Sequence, residues 1–184
     1  MADALQVAAR QFSVEKPASG ICETSGSQAL LPAELVTGHP VIDAEHCQLL
    51  SAMAGLRRVC DDYAGRANCL GCGAATQGKC ESELIGLLGD LLAFILDHFS
   101  TEERVMRQSL LLMVDRDLCE AHMEDHAAIS SQVQQVVSRL DRKYTIDRIR
   151  ELDQLLSQWT CNHIQLHDKL LARWLAREDN LLIK

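Results

Sequence analysis

Five histidines fall where a helix would carry its apolar stripe: His46, His98, His122, His126 and His163. His46 sits in the series Ile42, His46, Leu49, Met53, Leu56. His98 sits in the series Leu84, Leu88, Leu91, Ile95, His98, Glu102, Val105. His122 and His126 lie between Leu118 and Ile129, and His163 follows Ile149, Leu152, Leu156 and Trp159. Steps of three and four residues are the helical period. One histidine on such a stripe is ordinarily a hydrogen-bonded core residue. Five of them on four stripes, with the carboxylate of Glu102, need a partner for every buried nitrogen and oxygen, because unpaired buried polar groups are costly. A metal centre satisfies them together.

Spacing sharpens the point. His98 and Glu102 are four apart, as are His122 and His126. On a helix such pairs share a face one turn apart, so both can reach one inter-helix site. A carboxylate can bridge two cations, and imidazole with carboxylate suits iron, zinc or manganese. The set exceeds what one tetrahedral zinc uses, which argues for two metals. The chain has no H-E-x-x-H, the zinc-protease pattern, and no E-x-x-H, the ligand pair of ferritin-like di-iron proteins.

Four periodic segments must position these residues, at about 42–62, 81–107, 117–140 and 146–177. Asp43 is a candidate cap for the first. Mostly short connections between them predict an all-α protein: an up-down-up-down four-helix bundle over 39–180, with the two-metal centre in its core. Residues 1–38, with Gly20, Gly26 and Pro32, read as a loose N-terminal arm, and a Cys-rich insertion occupies about 60–80. The chain of 184 residues is long enough for one domain with a proper core. It is 47% hydrophobic with three prolines, and 4% aromatic without strand-like alternation, which favours helices.

The formal net charge of −8 repels phosphate backbones and argues against nucleic acid as a partner. Met1 to Phe12 lacks the pattern of a signal peptide. The longest greasy stretch, Leu84 to Phe99, is broken by Asp90 and Asp97 and reads as too short and too charged to span a membrane. The expectation is a cytoplasmic protein, in whose reducing surroundings eight cysteines are metal ligands or thiols rather than a disulfide framework. Cys60, Cys69, Cys72 and Cys80 follow the order C-x8-C-x2-C-x7-C. A structural zinc, a redox-active pair and unlinked thiols all remain open for them. Cys47, Cys119 and Cys161 read as small core residues beside the histidines, and Cys22 in the arm carries no signal.

The motifs I-D-A-E-H (Ile42 to His46), H-F-S-T-E-E (His98 to Glu103), H-M-E-D-H (His122 to His126) and W-T-C-N-H-I-Q-L-H-D (Trp159 to Asp168) resemble the hemerythrin family over roughly Gly38 to Trp174. The resemblance implies a non-heme di-iron centre in which His122, His126 and His163 hold one iron and His46 and His98 hold the other. Glu102 and Asp168 would bridge them with an oxo or hydroxo group. Dioxygen would bind reversibly at the iron with one histidine fewer, in a pocket that Phe99, Trp159 and Ile164 keep dry. Simple hemerythrins carry a tryptophan upstream of the first helix, where this chain has Leu35 and Val36. The surplus His39 reads as a loop residue. Helical periodicity favours His167 over Asp168 as the last ligand, whereas the resemblance favours Asp168.

The insertion and the segment T-G-H-P (Thr37 to Pro40) are similar to the hemerythrin subgroup fused to diguanylate cyclases, where the domain is an oxygen or redox input. No cyclase follows before Lys184, so the expectation is an excised sensor or a stand-alone protein, with a fused or separate signalling output as partner. The competing readings are oxygen carriage or storage, and a di-iron enzyme acting on peroxide or nitric oxide. Such enzymes usually need an open position on each iron, so a non-enzymatic module is preferred. A plain bundle binding zinc adventitiously is the third.

Overall fold

The structure is a computed structural model that describes residues 31–60, 63 and 65–182. Among them there is no strand. After a 3-10 turn at Ala33–Leu35 come α1 (Pro40–Arg58), α2 (Ala74–Gln108), the short α3 (Leu111–Val114) and α4 (Arg116–Val137). A second 3-10 turn, Arg142–Tyr144, leads into α5 (Thr145–His163). A π-helical segment, Ile164–Asp168, joins α5 without a break to α6 (Lys169–Leu182). The four long helical runs pack side by side: α1 against α2 and α5, and α4 against α2 and α5.

The expected stripes are the buried ones, and they stack in layers. A large apolar cluster takes Leu49, Met53 and Leu56 from α1, Leu84 to Ile95 from α2, Ile129 to Val136 from α4 and Ile149 to Leu156 from α5. A second cluster, of Ile42, Met106, Leu111, Cys119 and Leu171, lies beyond the histidines on every helix. His46 is therefore between Ile42 and Leu49 on its own stripe, and His98 between Ile95 and Met106. The polar layer is closed above and below by aliphatic side chains, which is how the sequence keeps it dry.

Three boundaries differ from the periodic reading. Helix α2 begins at Ala74, seven residues before the expected start at Glu81. The Cap of α1 is His39, whose Nδ1 accepts from the Ile42 N–H at 3.4 Å. Asp43 instead folds back on the preceding turn, accepting from Thr37 N, Thr37 Oγ1 and Gly38 N at 2.8, 2.7 and 3.1 Å. Gly38, at φ 87°, supplies the left-handed backbone that this turn requires. Of the predicted arm, residues 1–30, with Cys22, lie outside the described residues. Residues 31–38 are not loose: Leu31 and Leu35 are buried against Cys47 and Ile164, and Lys169 Nζ donates to the Glu34 carbonyl.

By length and composition α2 could cross a membrane, having an 18-residue window of mean hydropathy 1.5. Length is thus no argument against a span, as the short stretch Leu84 to Phe99 had suggested. In the bundle, one stripe of α2 is buried and carries His98 and Glu102 inward.

Candidate metal centre

All seven residues expected as ligands are buried, at 0–3% exposure, and they meet in one layer. Two groups form, each with its ligand atoms within 4.8 Å of one another: Glu102 with His122, His126 and His163, and Glu102 with His46, His98 and Asp168. Glu102 belongs to both. Its Oε2 lies 3.1 Å from His126 Nε2, 3.2 Å from His122 Nε2, 3.6 Å from His163 Nε2 and 3.7 Å from His98 Nε2. Asp168 spans the same divide with its two oxygens. Oδ1 is 3.0 Å from His163 Nε2 and 3.3 Å from His122 Nε2, while Oδ2 is 2.9 Å from His46 Nε2.

Asp168 reaches this position because the helix changes type. In an α-helix Asp168, five residues after His163, would lie about 140° round, and His167 about 40° round. The segment Ile164–Asp168 is π-helical, with i→i+5 bonding, so the fifth residue completes the turn. Asp168 is rotated onto the face of His163 and is fully buried. His167 is displaced to the flank, where its ring stacks on His122 with centroids 5.0 Å apart.

Hydrogen bonding alone leaves this layer unsatisfied. His122 Nε2 and His126 Nε2 each lie 3.2 Å from His163 Nε2, and two ring nitrogens at that distance can share only one proton. His46 Nε2, His98 Nε2, Glu102 Oε1 and both Asp168 oxygens have no hydrogen-bond partner. His46 Nε2 lies 2.9 Å from Asp168 Oδ2 without forming a hydrogen bond. Nitrogen lone pairs and carboxylate oxygens converging with too few hydrogen bonds to satisfy them all are what divalent or trivalent cations require. The donor set therefore fits metal.

Electrostatics agree. Burial alone would raise the carboxyls of Glu102 and Asp168, but the surrounding imidazoles outweigh it and hold both below the usual carboxylate range. Burial would lower His163, yet the hydrogen bond to Asp125 and the nearby carboxylates of Asp168 and Glu102 push it up to about 11. Protons and metal thus compete for the same nitrogens.

Two further carboxylates orient the rings, and the sequence reading missed both. Glu45 Oε2 accepts from His98 Nδ1 at 2.9 Å, and its Oε1 accepts from Thr101 Oγ1 at 3.0 Å. Asp125 Oδ2 accepts from His163 Nδ1 at 2.7 Å and from Trp159 Nε1 at 2.6 Å. Each fixes which ring nitrogen faces the centre. The available signal was that each immediately precedes a stripe histidine, in A-E-H and E-D-H.

Phe99 stacks on His126 at 3.8 Å between centroids, and Trp159 on His163 at 4.4 Å. These two aromatics wall the side of the three-histidine group. Ile164 lies elsewhere, in the cluster of Leu31, Leu35 and Cys47. Leu35 thus provides apolar cover from the segment where a tryptophan was missed.

The cysteines form a separate assembly. Cys60, Cys69, Cys72 and Cys80 line one cavity of about 90 Å³, floored by Ile146 and Ile149, and none of the four is in a disulfide. Burial raises the Cys80 thiol, and the neighbouring Cys60, Glu83, Cys69 and Cys72 add to the effect.

Fold and site together define a helical protein with a metal-binding core of histidine and carboxylate. Residues 37–175 match the hemerythrin HHE cation-binding domain, and the chain belongs to the hemerythrin family. Comparison with curated proteins and with solved structures finds no match.

Proposed function

We propose that this chain is an up-down-up-down four-helix bundle that binds two iron ions and takes up dioxygen reversibly, as an oxygen or redox sensory module. The observation that supports it best is the shared carboxylate. Glu102 belongs to two convergent groups, and Asp168 turns one oxygen toward each. Counted this way, one position has three imidazoles and two carboxylate oxygens. The other has two imidazoles and two carboxylate oxygens, which leaves it room for an exogenous ligand.

When bound, the iron pair supplies the electrons for oxygen uptake. The chain's own residues do the rest. Glu45 and Asp125 hold the rings of His98 and His163 in place. Leu31, Leu35, Cys47 and Ile164 form an apolar cluster beside the layer, and Phe99 and Trp159 stack on His126 and His163, which limits the access of water. The described segment 31–36 packs through Leu31 and Leu35 on Cys47 and Ile164, the chain neighbours of His46 and His163, so oxygen-dependent repacking there is a route from the centre toward the N-terminus. Such signalling requires the two ligation states to differ in their packing free energy.

The test is iron content with optical spectra of the anaerobically reduced protein before and after air. About two irons per chain and a coloured adduct that is reversed by removing oxygen are expected. Catalytic turnover of peroxide or nitric oxide without a reversible adduct would replace the reading with that of an enzyme. Asp125→Asn is expected to keep the fold but weaken iron binding by about 10- to 100-fold, as loss of a ligand-orienting carboxylate does. Titration against a competing chelator measures it, and an unchanged affinity would deny Asp125 this role.

A further inference from the structure

We infer that Cys60, Cys69, Cys72 and Cys80 form a second metal site, a tetrathiolate site for one zinc ion that staples the α1–α2 connection to the bundle. The four residues come from three stretches of chain: the end of α1, the following loop and the first turns of α2. They converge on a single cavity although up to twenty residues separate them.

The connection has almost nothing else to hold it by apolar burial. Among the described residues of 60–80, Cys69 alone is buried. Thiols are a poor substitute for a core unless something binds them. The backbone around them is organised by polar contacts. Cys72 N donates to the Cys69 carbonyl at 3.1 Å, closing the C-x2-C segment into a turn. Gln77 Nε2 donates to the carbonyls of Cys69 and Cys72 at 2.8 and 3.1 Å. The Arg150 guanidinium donates to the carbonyls of Tyr63, Arg66 and Ala67.

Burial raises the Cys80 thiol, but two other neighbours favour sulfur anions. Ile146 N–H, at the N-terminus of α5, points at Cys69 Sγ at 3.4 Å. Helix N-terminal amides and their dipole stabilise thiolate. Arg66 lines the same cavity. Four thiolates on a divalent cation leave a net −2, which these groups offset. Binding releases the four thiol protons to solvent as four Zn–S bonds form, with no change of oxidation state. The ligand atoms already within 4.8 Å of one another among the described residues belong to the histidine and carboxylate groups. The four sulfurs share their cavity without lying that close, and a zinc ion would draw each thiolate in to a Zn–S distance of about 2.3 Å. Soft thiolate ligands in a tetrahedral set suit zinc, whereas the nitrogen and oxygen donors of the core suit iron.

This inference does not depend on the di-iron reading, and its test separates the two. The full chain, purified without chelator, is expected to hold about one zinc per chain in addition to any iron. Cobalt substitution should give the intense sulfur-to-metal absorption of tetrahedral thiolate coordination. Cys69→Ser/Cys72→Ser should lose the zinc and keep the iron. Should that variant fold poorly, alkylation of the unaltered protein decides. Four thiols should resist iodoacetamide until a strong chelator is added. Absence of zinc and of the cobalt spectrum, zinc that persists in the double variant, or a mass showing a disulfide within this set would each overturn the proposal.

Discussion

Glu102→Ala is expected to lose most of its bound metal, and Glu102→Gln to lose nearly as much. The carboxylate is fully buried, 3.1–3.7 Å from four imidazole nitrogens, and belongs to both ligand groups. Removing one partner from a buried charged set costs about 3–5 kcal/mol, or roughly 10²- to 4 × 10³-fold in affinity. Glutamine keeps the size but lacks the negative charge that two cations would share. Because one residue serves both positions, the two irons should be lost together rather than one at a time. Iron analysis after gel filtration, with titration of the metal-free protein, measures this. Full iron with an unaltered oxygenated spectrum in Glu102→Ala would refute the shared-carboxylate role. His39→Ala serves as the control. His39 caps α1 through its Nδ1 and lies outside both groups, so its loss should cost about 1 kcal/mol of stability and no metal.

What the sequence made legible followed one rule, the helical period. His46, His98, Glu102, His122, His126 and His163 could be placed on buried stripes because α1, α2, α4 and α5 are regular where those residues sit. The same rule misled at Asp168, because periodicity presumes an α-helix and the chain is π-helical from Ile164 to Asp168. Glu45 and Asp125 escaped notice for a different reason. They lie beside the stripe rather than on it, partly exposed, and are indistinguishable in pattern from solvated carboxylates such as Glu124. Their work depends on which ring of another helix they face, which needs the packing of α1 on α2 and of α4 on α5. The start of α2 was misplaced because Gly78 lowers helix propensity there. The meeting of four cysteines was suggested by C-x2-C, but the partner surface from α5, with Ile146 N–H aimed at Cys69, is not local in sequence.

Asp168→Ala is expected to abolish the metal centre, while His167→Ala should leave it nearly full. Both residues follow His163 by about one turn, and an ideal α-helix would favour His167. The π-helical turn reverses the order. Asp168 is buried with oxygens 2.9 and 3.0 Å from His46 and His163, and neither oxygen has a hydrogen-bond partner. His167 is only partly buried and joins Asp125 and His163 in a separate grouping at the flank. Its ring packs on His122 and His163, at 5.0 and 5.3 Å between centroids, so His167→Ala removes packing but no shared ligand. A loss of about 1–2 kcal/mol of stability is expected from that, with iron retained. A single imidazole nitrogen cannot span two cations, whereas the two oxygens of Asp168 already point to different groups. Asp168→Asn should behave like Asp168→Ala for metal, since the amide is neutral, while leaving the packing and the π turn intact by circular dichroism. Deleting Gln165 offers a sharper form of the same test. It would remove one residue from the wide turn and leave Asp168 four residues after His163 in an ordinary α-helix, about 40° round and still on the same face. The metal centre should then be largely retained although the π turn is gone, because the turn serves only to bring Asp168 back to that face. Iron retained at two per chain in Asp168→Ala, or lost in His167→Ala alone, would show that the π turn does not serve to place Asp168.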